Sequence, residues 1–180
     1  MSRRFFRRSG AALAGLALCG GVAVAGVAGT GTASADTSQY YAITLGAESS
    51  GLVLDVAGAS TDPGAPVIQW YYNGGENQVW SVPGPLLPGD IVNANSGMCL
   101  TTDGVAGDQL YQEPCDGALV QYQTWYDWSD LYGHVMQLES PYWGLFVDVY
   151  QNSYSPGPID AWYPNNQPNQ FFEPGLSFSS

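Results

Sequence analysis

Ser50-Gly51-Leu52-Val53-Leu54-Asp55-Val56 recurs as Ser96-Gly97-Met98-Cys99-Leu100-Thr101-Thr102 and again as Trp143-Gly144-Leu145-Phe146-Val147-Asp148-Val149. The Asp55 position returns 46 residues on at Thr101, and a further 47 on at Asp148. A second marker keeps step: Gln78-Val79-Trp80, Gln123-Thr124-Trp125 and Gln170-Phe171-Phe172, with the glutamines 45 and 47 apart. Two independent markers on one period define a threefold tandem repeat of about 46 residues.

Between the markers, apolar residues alternate in short runs, as in Ile43 and Leu45, Leu52, Leu54 and Val56, or Val67 and Trp70. With 23 Gly and 12 Pro, no stretch sustains a helical period. Aromatic and β-branched enrichment points to strands and tight turns, and each repeat has room for about four short strands. One such unit cannot bury a core alone, so three must close around a shared axis in an all-β fold. Trp80, Trp125 and Phe172, with Leu54, Leu100 and Val147, sit on the recurring apolar positions and read as that core.

Outside the repeats, Ser2-Arg3-Arg4-Phe5-Phe6-Arg7-Arg8 precedes an apolar run from Ala11 to about Val27 and then Ala33-Ser34-Ala35. A charged segment, an apolar segment and a small-x-small site read as a signal peptide over residues 1–35, followed by one domain over 36–180. The paired arginines fit a twin-arginine export signal and an ordinary secretory one equally. The expected location is extracellular. The repeats fall at approximately 40–85, 86–131 and 132–175.

All four basic residues lie in that leader, so residues 36–180 carry 16 acids and no Lys or Arg. Nucleic acid, anionic lipid and sulfated polysaccharide need cationic contacts and are excluded as ligands, which leaves neutral partners. The 16 acids should repel one another, so greater stability is expected near pH 4–5 than at pH 8. Cys99 and Cys115, the pair remaining after the leader's Cys19, read as a disulfide in an exported chain. A metal site built from them and the lone His134 lacks a fourth ligand, so neither metal nor cofactor is expected.

The Gly-x-x-Leu-Asp-Val segment, an apolar-x-aromatic segment and Asn-Gln-x-Trp together resemble the ricin B-chain type lectin repeat. The same repeat is found in family-13 carbohydrate-binding modules of secreted actinobacterial enzymes. The resemblance spans about residues 40 to 173 and implies a β-trefoil of twelve strands with one potential sugar pocket per lobe. It implies pocket residues Asp55, Trp70 and Asn77 in the first repeat, with Gln78 behind them. In the third it implies Asp148, Trp162 and Asn169, with Gln170 behind. The second repeat departs, with Thr101, Glu113 and Tyr122 at the corresponding positions, although Cys99 and Cys115 match the family's disulfide within a repeat. Two residues before the platform, where the family often has Gln, stand Ile68 and Asp160, which leaves the preferred sugar open.

These residue types suit a pyranose. A Trp ring covers the apolar C–H face, an ionised Asp accepts hydroxyl protons, and Asn supplies both donor and acceptor. One shallow pocket of this kind should bind with Kd roughly 0.1–1 mM, and two on one rigid body gain if a glycan spans them. Trp70 and Trp162 also admit a plainer role as half-buried strand residues. Gln78, Gln123 and Gln170 persist in the degenerate repeat, which suggests a structural hydrogen bond. Tyr122, Trp125, Tyr126 and Trp128 read as lobe packing ahead of extra binding surface.

No pair of carboxylates is singled out by spacing, and no nucleophile, zinc or phosphate-loop motif occurs, so an enzyme is not expected. The expected function is a secreted, monomeric lectin for neutral sugars such as galactosides or plant and microbial polysaccharides. The competing reading is a β-trefoil that binds protein, as a protease inhibitor or toxin subunit.

Overall fold

The computed structural model describes residues 41–129 and 135–176. The expected leader and His134 lie outside the described residues.

Thirteen short strands are present among these residues: β1 (Tyr41–Ala47), β2 (Val53–Val56), β3 (Val67–Trp70), β4 (Trp80–Val82), β5 (Pro88–Asp90), β6 (Val92–Asn93), β7 (Cys99–Thr101), β8 (Tyr111–Glu113), β9 (Thr124–Asp127), β10 (Leu138–Ser140), β11 (Leu145–Val149), β12 (Gly157–Trp162) and β13 (Phe172–Leu176). β5 and β6 flank the buried Ile91. β5 pairs with β9, while β6 pairs with β4 and β7. They therefore act as one strand interrupted at Ile91, and the interruption raises the expected twelve strands to thirteen.

Pairing follows a threefold rule. The first strand of each lobe pairs with the last strand of its own lobe and the last strand of the preceding one. β1 pairs with β4 and β13; β5–β6 pairs with β9 and β4; β10 pairs with β9, and a Met136–Phe172 bridge joins its approach to β13. Among the described residues the ring closes and leaves no barrel edge free to template aggregation. The inner hairpins β2–β3, β7–β8 and β11–β12 form a second closed set. β12 pairs with β3, and bridges Pro66–Tyr111 and Gln109–Asp160 join the remaining sides. A barrel capped by a triplet of hairpins is a β-trefoil.

The glycine of the repeated motif has a backbone reason. Gly51, Gly97 and Gly144 take φ of 68°, 68° and 64°, and each amide closes its turn on the carbonyl of Ala47, Asn93 or Ser140 at 2.8 Å. A side chain at this left-handed position would be strained, so glycine recurs at each hairpin entry.

Strand alternation then sorts the side chains. In β2, Leu54 and Val56 point to the core while Asp55 points to the other face. Trp80, Trp125 and Phe172, with Leu54, Leu100 and Val147, are completely buried, as the repeat pattern indicated. Each ring contributes roughly 2–3 kcal/mol by leaving water. The indole N–H of Trp80 donates to the Leu54 carbonyl at 3.2 Å, and that of Trp125 to Leu100 at 2.9 Å. Phe172 has no such donor, so lobe 3 keeps the packing and forgoes the hydrogen bond.

Lobes are also tied through two buried glutamines. Gln69 donates to the carbonyls of Ser153 and Ser155 in lobe 3, and Gln112 donates to those of Ser60 and Asp62 in lobe 1. The equivalent position in lobe 3 is Ala161, which leaves the third tie unmade.

Candidate functional site

Strand register brings the implied pocket residues together in lobes 1 and 3. Across β2–β3, Asp55 faces Ile68 and Val53 faces Trp70; across β11–β12, Asp148 faces Asp160 and Phe146 faces Trp162. Asp and Trp therefore lie on one face of each hairpin. Asn77 and Asn169 arrive from the short turns Glu76–Gln78 and Pro168–Gln170, just before the last strand of each lobe.

The aspartate is held from behind in the same way in both lobes. Asp55 Oδ2 accepts from Asn77 Nδ2 at 2.9 Å and Gln78 Nε2 at 2.7 Å. Asp148 Oδ2 accepts from Asn169 Nδ2 at 2.7 Å, Gln170 Nε2 at 2.8 Å and Asn165 Nδ2 at 3.3 Å. Gln78 also donates to the Tyr71 carbonyl and accepts from the Asn73 amide, and Gln170 does the same with Tyr163 and Asn165. Both glutamines are wholly buried and committed to the protein, so they position the aspartate and do not line the pocket. Burial raises the carboxyl pKa of Asp55 and of Asp148, and the amide hydrogen bonds partly offset this.

Above this floor stand the rings. Trp70 is 42 % exposed and Trp162 43 %, each edge-on to the next tyrosine, Tyr71 or Tyr163. The lobe 1 pocket encloses about 340 Å3 between Asp55, Ile68, Trp70, Asn73 and Asn77. That of lobe 3 is about 500 Å3, between Asp148, Tyr150, Asp160, Trp162, Asn165 and Asn169. The far rim of each is a left-handed turn just after the aspartate: Gly58 and Ala59 in lobe 1, Gln151 and Asn152 in lobe 3. Three of these four are non-glycine residues held at positive φ, a strain typical of ligand-binding loops.

Lobe 2 keeps the clasp and a smaller cavity of about 210 Å3, lined by Thr101, Asp103, Tyr111, Leu119 and Tyr122, without the Asp, Trp and Asn of the other two. Gln123 donates to Thr101 Oγ1 at 3.2 Å and to the Pro114 carbonyl at 3.0 Å. Glu113 pairs with Cys99, in the register held by Trp70 and Trp162. The Cys99–Cys115 disulfide is formed, with Cα atoms 5.1 Å apart. Both sulfurs are thus committed to each other. Tyr122, at the Asn position, stacks on Trp143 with ring centroids 5.6 Å apart. The aromatic cluster read from sequence is thereby divided: Trp125 is core, Tyr122 belongs to that stack, and Tyr126 packs on Trp128 at 4.7 Å.

Three site features escaped the sequence reading. Asn73 and Asn165 each precede the pocket Asn by four residues, a spacing that lobe 2 breaks with Ala118 and that was available as a signal. Asp160 departs from the family pattern in sequence, but its pairing with Asp148 follows only from the strand register. Gly107 belongs to lobe 2, yet its backbone supports the Trp162 ring of lobe 3: a Cβ there would lie 3.0 Å from Trp162 Cζ3.

A closed trefoil with an Asp–Asn–Gln clasp under an exposed indole defines a sugar-binding type of protein. Residues 41–172 match the ricin-type beta-trefoil lectin domain, and the chain belongs to that family. Among solved structures, the designed threefold symmetric protein ThreeFoil aligns with TM-score 0.67 at 30 % identity, covering 75 % of this chain and 98 % of that one. The exo-beta-1,3-galactanase 1,3Gal43A of Clostridium thermocellum aligns with TM-score 0.66 at 30 % identity, over 79 % of this chain and 31 % of that one. The C-terminal half of the earthworm R-type lectin, solved with GalNAc, shares the fold with TM-score 0.59 at 22 % identity, over 74 % of this chain and 98 % of that one. Comparison with curated proteins gives no match.

Proposed function

We propose that this is a secreted, monomeric, non-catalytic lectin whose lobes 1 and 3 each hold a neutral sugar, such as a galactoside or a unit of a plant or microbial polysaccharide. The observation that carries the reading is the duplicated clasp. Asp55 and Asp148 are fixed by the same two amides under the same exposed indole, and lobe 2 has lost the Asp, Trp and Asn together. In lobe 1 the second oxygen of the clasped carboxylate, Asp55 Oδ1, takes no donor from the described residues and is available to sugar hydroxyls. The indole covers the C–H face; the Asn77 amide nitrogen is committed to Asp55 and the Val56 carbonyl, which leaves its Oδ1 to accept from a hydroxyl.

Catalysis of glycoside cleavage is disfavoured by the same geometry. The two carboxyls of lobe 3 stand on directly opposed residues, Asp148 and Asp160, on one side of the pocket, whereas a glycosidase places its pair roughly 5–9 Å apart on either side of the scissile bond. A glycan array tests the proposal. Binding that is reduced in Trp70→Ala and in Trp162→Ala, and kept in Trp128→Ala, supports it; an array silent for the wild-type chain sinks it.

A further inference from the structure

The two pockets differ in one buried charge. Opposite the clasped aspartate, lobe 1 places Ile68 and lobe 3 places Asp160. Asp160 is 3 % exposed, it lines the pocket floor, and its Oδ1 finds no donor among the described residues. Its carboxyl lies against that of Asp148, and the chain has no Lys or Arg beyond Arg8 to neutralise either group. A second buried carboxyl without a donor is costly. The trefoil does not need it, because Ile68 fills the same place in lobe 1.

We propose that lobe 3, unlike lobe 1, is built for a sugar bearing a free ammonium group, seated on Trp162 with its nitrogen between Asp148 and Asp160. The inference rests on the reading of lobe 3 as a sugar pocket. An ammonium brings a donor for Asp160 Oδ1 and the positive charge that the pair lacks. Trp162 and Tyr150 line the same pocket and offer aromatic faces to a cation. With the pocket empty, the pair holds a proton on Asp160, whose carboxyl burial and the Asp148 charge push up to about 7. The arriving ammonium takes over that proton's role and the proton leaves to solvent. Other titratable groups on the packed elements are Tyr150 after β11, Tyr163 after β12, Glu139 on β10, and Asp103 and Asp108 on the lobe 2 loop beside β12; none of these supplies a positive charge.

The test is an NMR titration of the full chain at about pH 6, where an amino sugar is charged. The indole N–H signals of Trp70 and Trp162 report the two lobes separately. D-galactosamine is compared with N-acetyl-D-galactosamine, and calcium chloride is titrated alone. Trp162 should respond to galactosamine at a concentration about tenfold lower than to the acetylated sugar, because charge-assisted bonds are roughly twice as strong as neutral ones. Trp70 should show no such preference, and Asp160→Asn should erase the preference at Trp162. Equal responses at Trp162, a preference that survives Asp160→Asn, or a stronger response to calcium than to galactosamine overturns the inference. Those outcomes leave the lectin reading standing if Trp70 responds to either sugar. Silence of both indoles towards every sugar overturns both.

Discussion

Gln123 donates to Thr101 in lobe 2 through the same side-chain amide that Gln78 turns on Asp55 in lobe 1. The clasp thus outlives the carboxylate it serves elsewhere, because the rest of the amide still satisfies backbone: Gln123 donates to the Pro114 carbonyl and accepts from the Asp116 amide. Replacing Gln123 by Ala should therefore destabilise the chain about as much as replacing Gln78, by roughly 2–4 kcal/mol from orphaned buried groups. Only Gln78→Ala should also weaken sugar binding, since it frees Asp55 to rotate. Chemical denaturation beside a sugar titration separates the two effects.

The Cys99–Cys115 bond closes a short loop, with a sequence separation of 16, wholly inside lobe 2. Its removal in a Cys99→Ala/Cys115→Ala variant should cost about 3 kcal/mol of stability, chiefly through the unfolded chain. Glycan binding well below the melting temperature should remain, because neither sulfur touches lobe 1 or lobe 3 pocket residues. Loss of binding in a variant that is still folded would show that lobe 2 transmits order to its neighbours.

The repeat was legible because its causes are local. A glycine that must be left-handed, an apolar position inside a strand and a glutamine that accepts from a turn amide of its own lobe each recur once per repeat. The grouping of Asp55 with Asn77 and of Asp148 with Asn169 is implied by the family resemblance, while the amides' hold on each carboxylate is visible only in the fold. What escaped depends on juxtaposition between strands or lobes. Asp160 is an ordinary acid in sequence, and it becomes a buried partner of Asp148 only when β11 and β12 pair in register. The expected mutual repulsion of sixteen acids is also redistributed. Burial is the first cause of the raised carboxyls at Asp55, Asp90, Asp127, Asp148 and Asp160, while a neighbouring carboxyl dominates only at Asp108, beside Asp103. Charge counts do not carry that information; packing does.

Gly107 offers a way to disable lobe 3 alone. It sits at φ 94°, and any Cβ there meets the Trp162 ring. Gly107→Ala should shift the platform and lower lobe 3 affinity about tenfold, with a backbone cost of roughly 1–2 kcal/mol. Trp70 lies on another lobe and should bind as before. Lobe-resolved indole shifts check this, and equal losses in both lobes would contradict it.

Stability should fall as pH rises from about 4 to 7, and Asp160 should account for much of the slope. Its folded pKa of about 7 lies above the ordinary 3.8. A raised carboxyl favours the protonated folded state, so the unfolded chain gives up its proton first. Nothing is lost below the unfolded value; destabilisation then accumulates until pH passes the folded value, and it is constant beyond. Asp55 and Asp148 shift in the same direction and add to the trend. Asp160→Asn keeps the shape without the charge, so it should flatten the decline and raise the melting temperature at pH 8 more than at pH 4. A saturating amino sugar should do likewise in the wild type by pairing with the ionised floor. Melting curves at pH 4, 6 and 8 decide the matter: a wild-type melting temperature that climbs across that range contradicts the assignment of a buried, proton-sharing pair to Asp148 and Asp160.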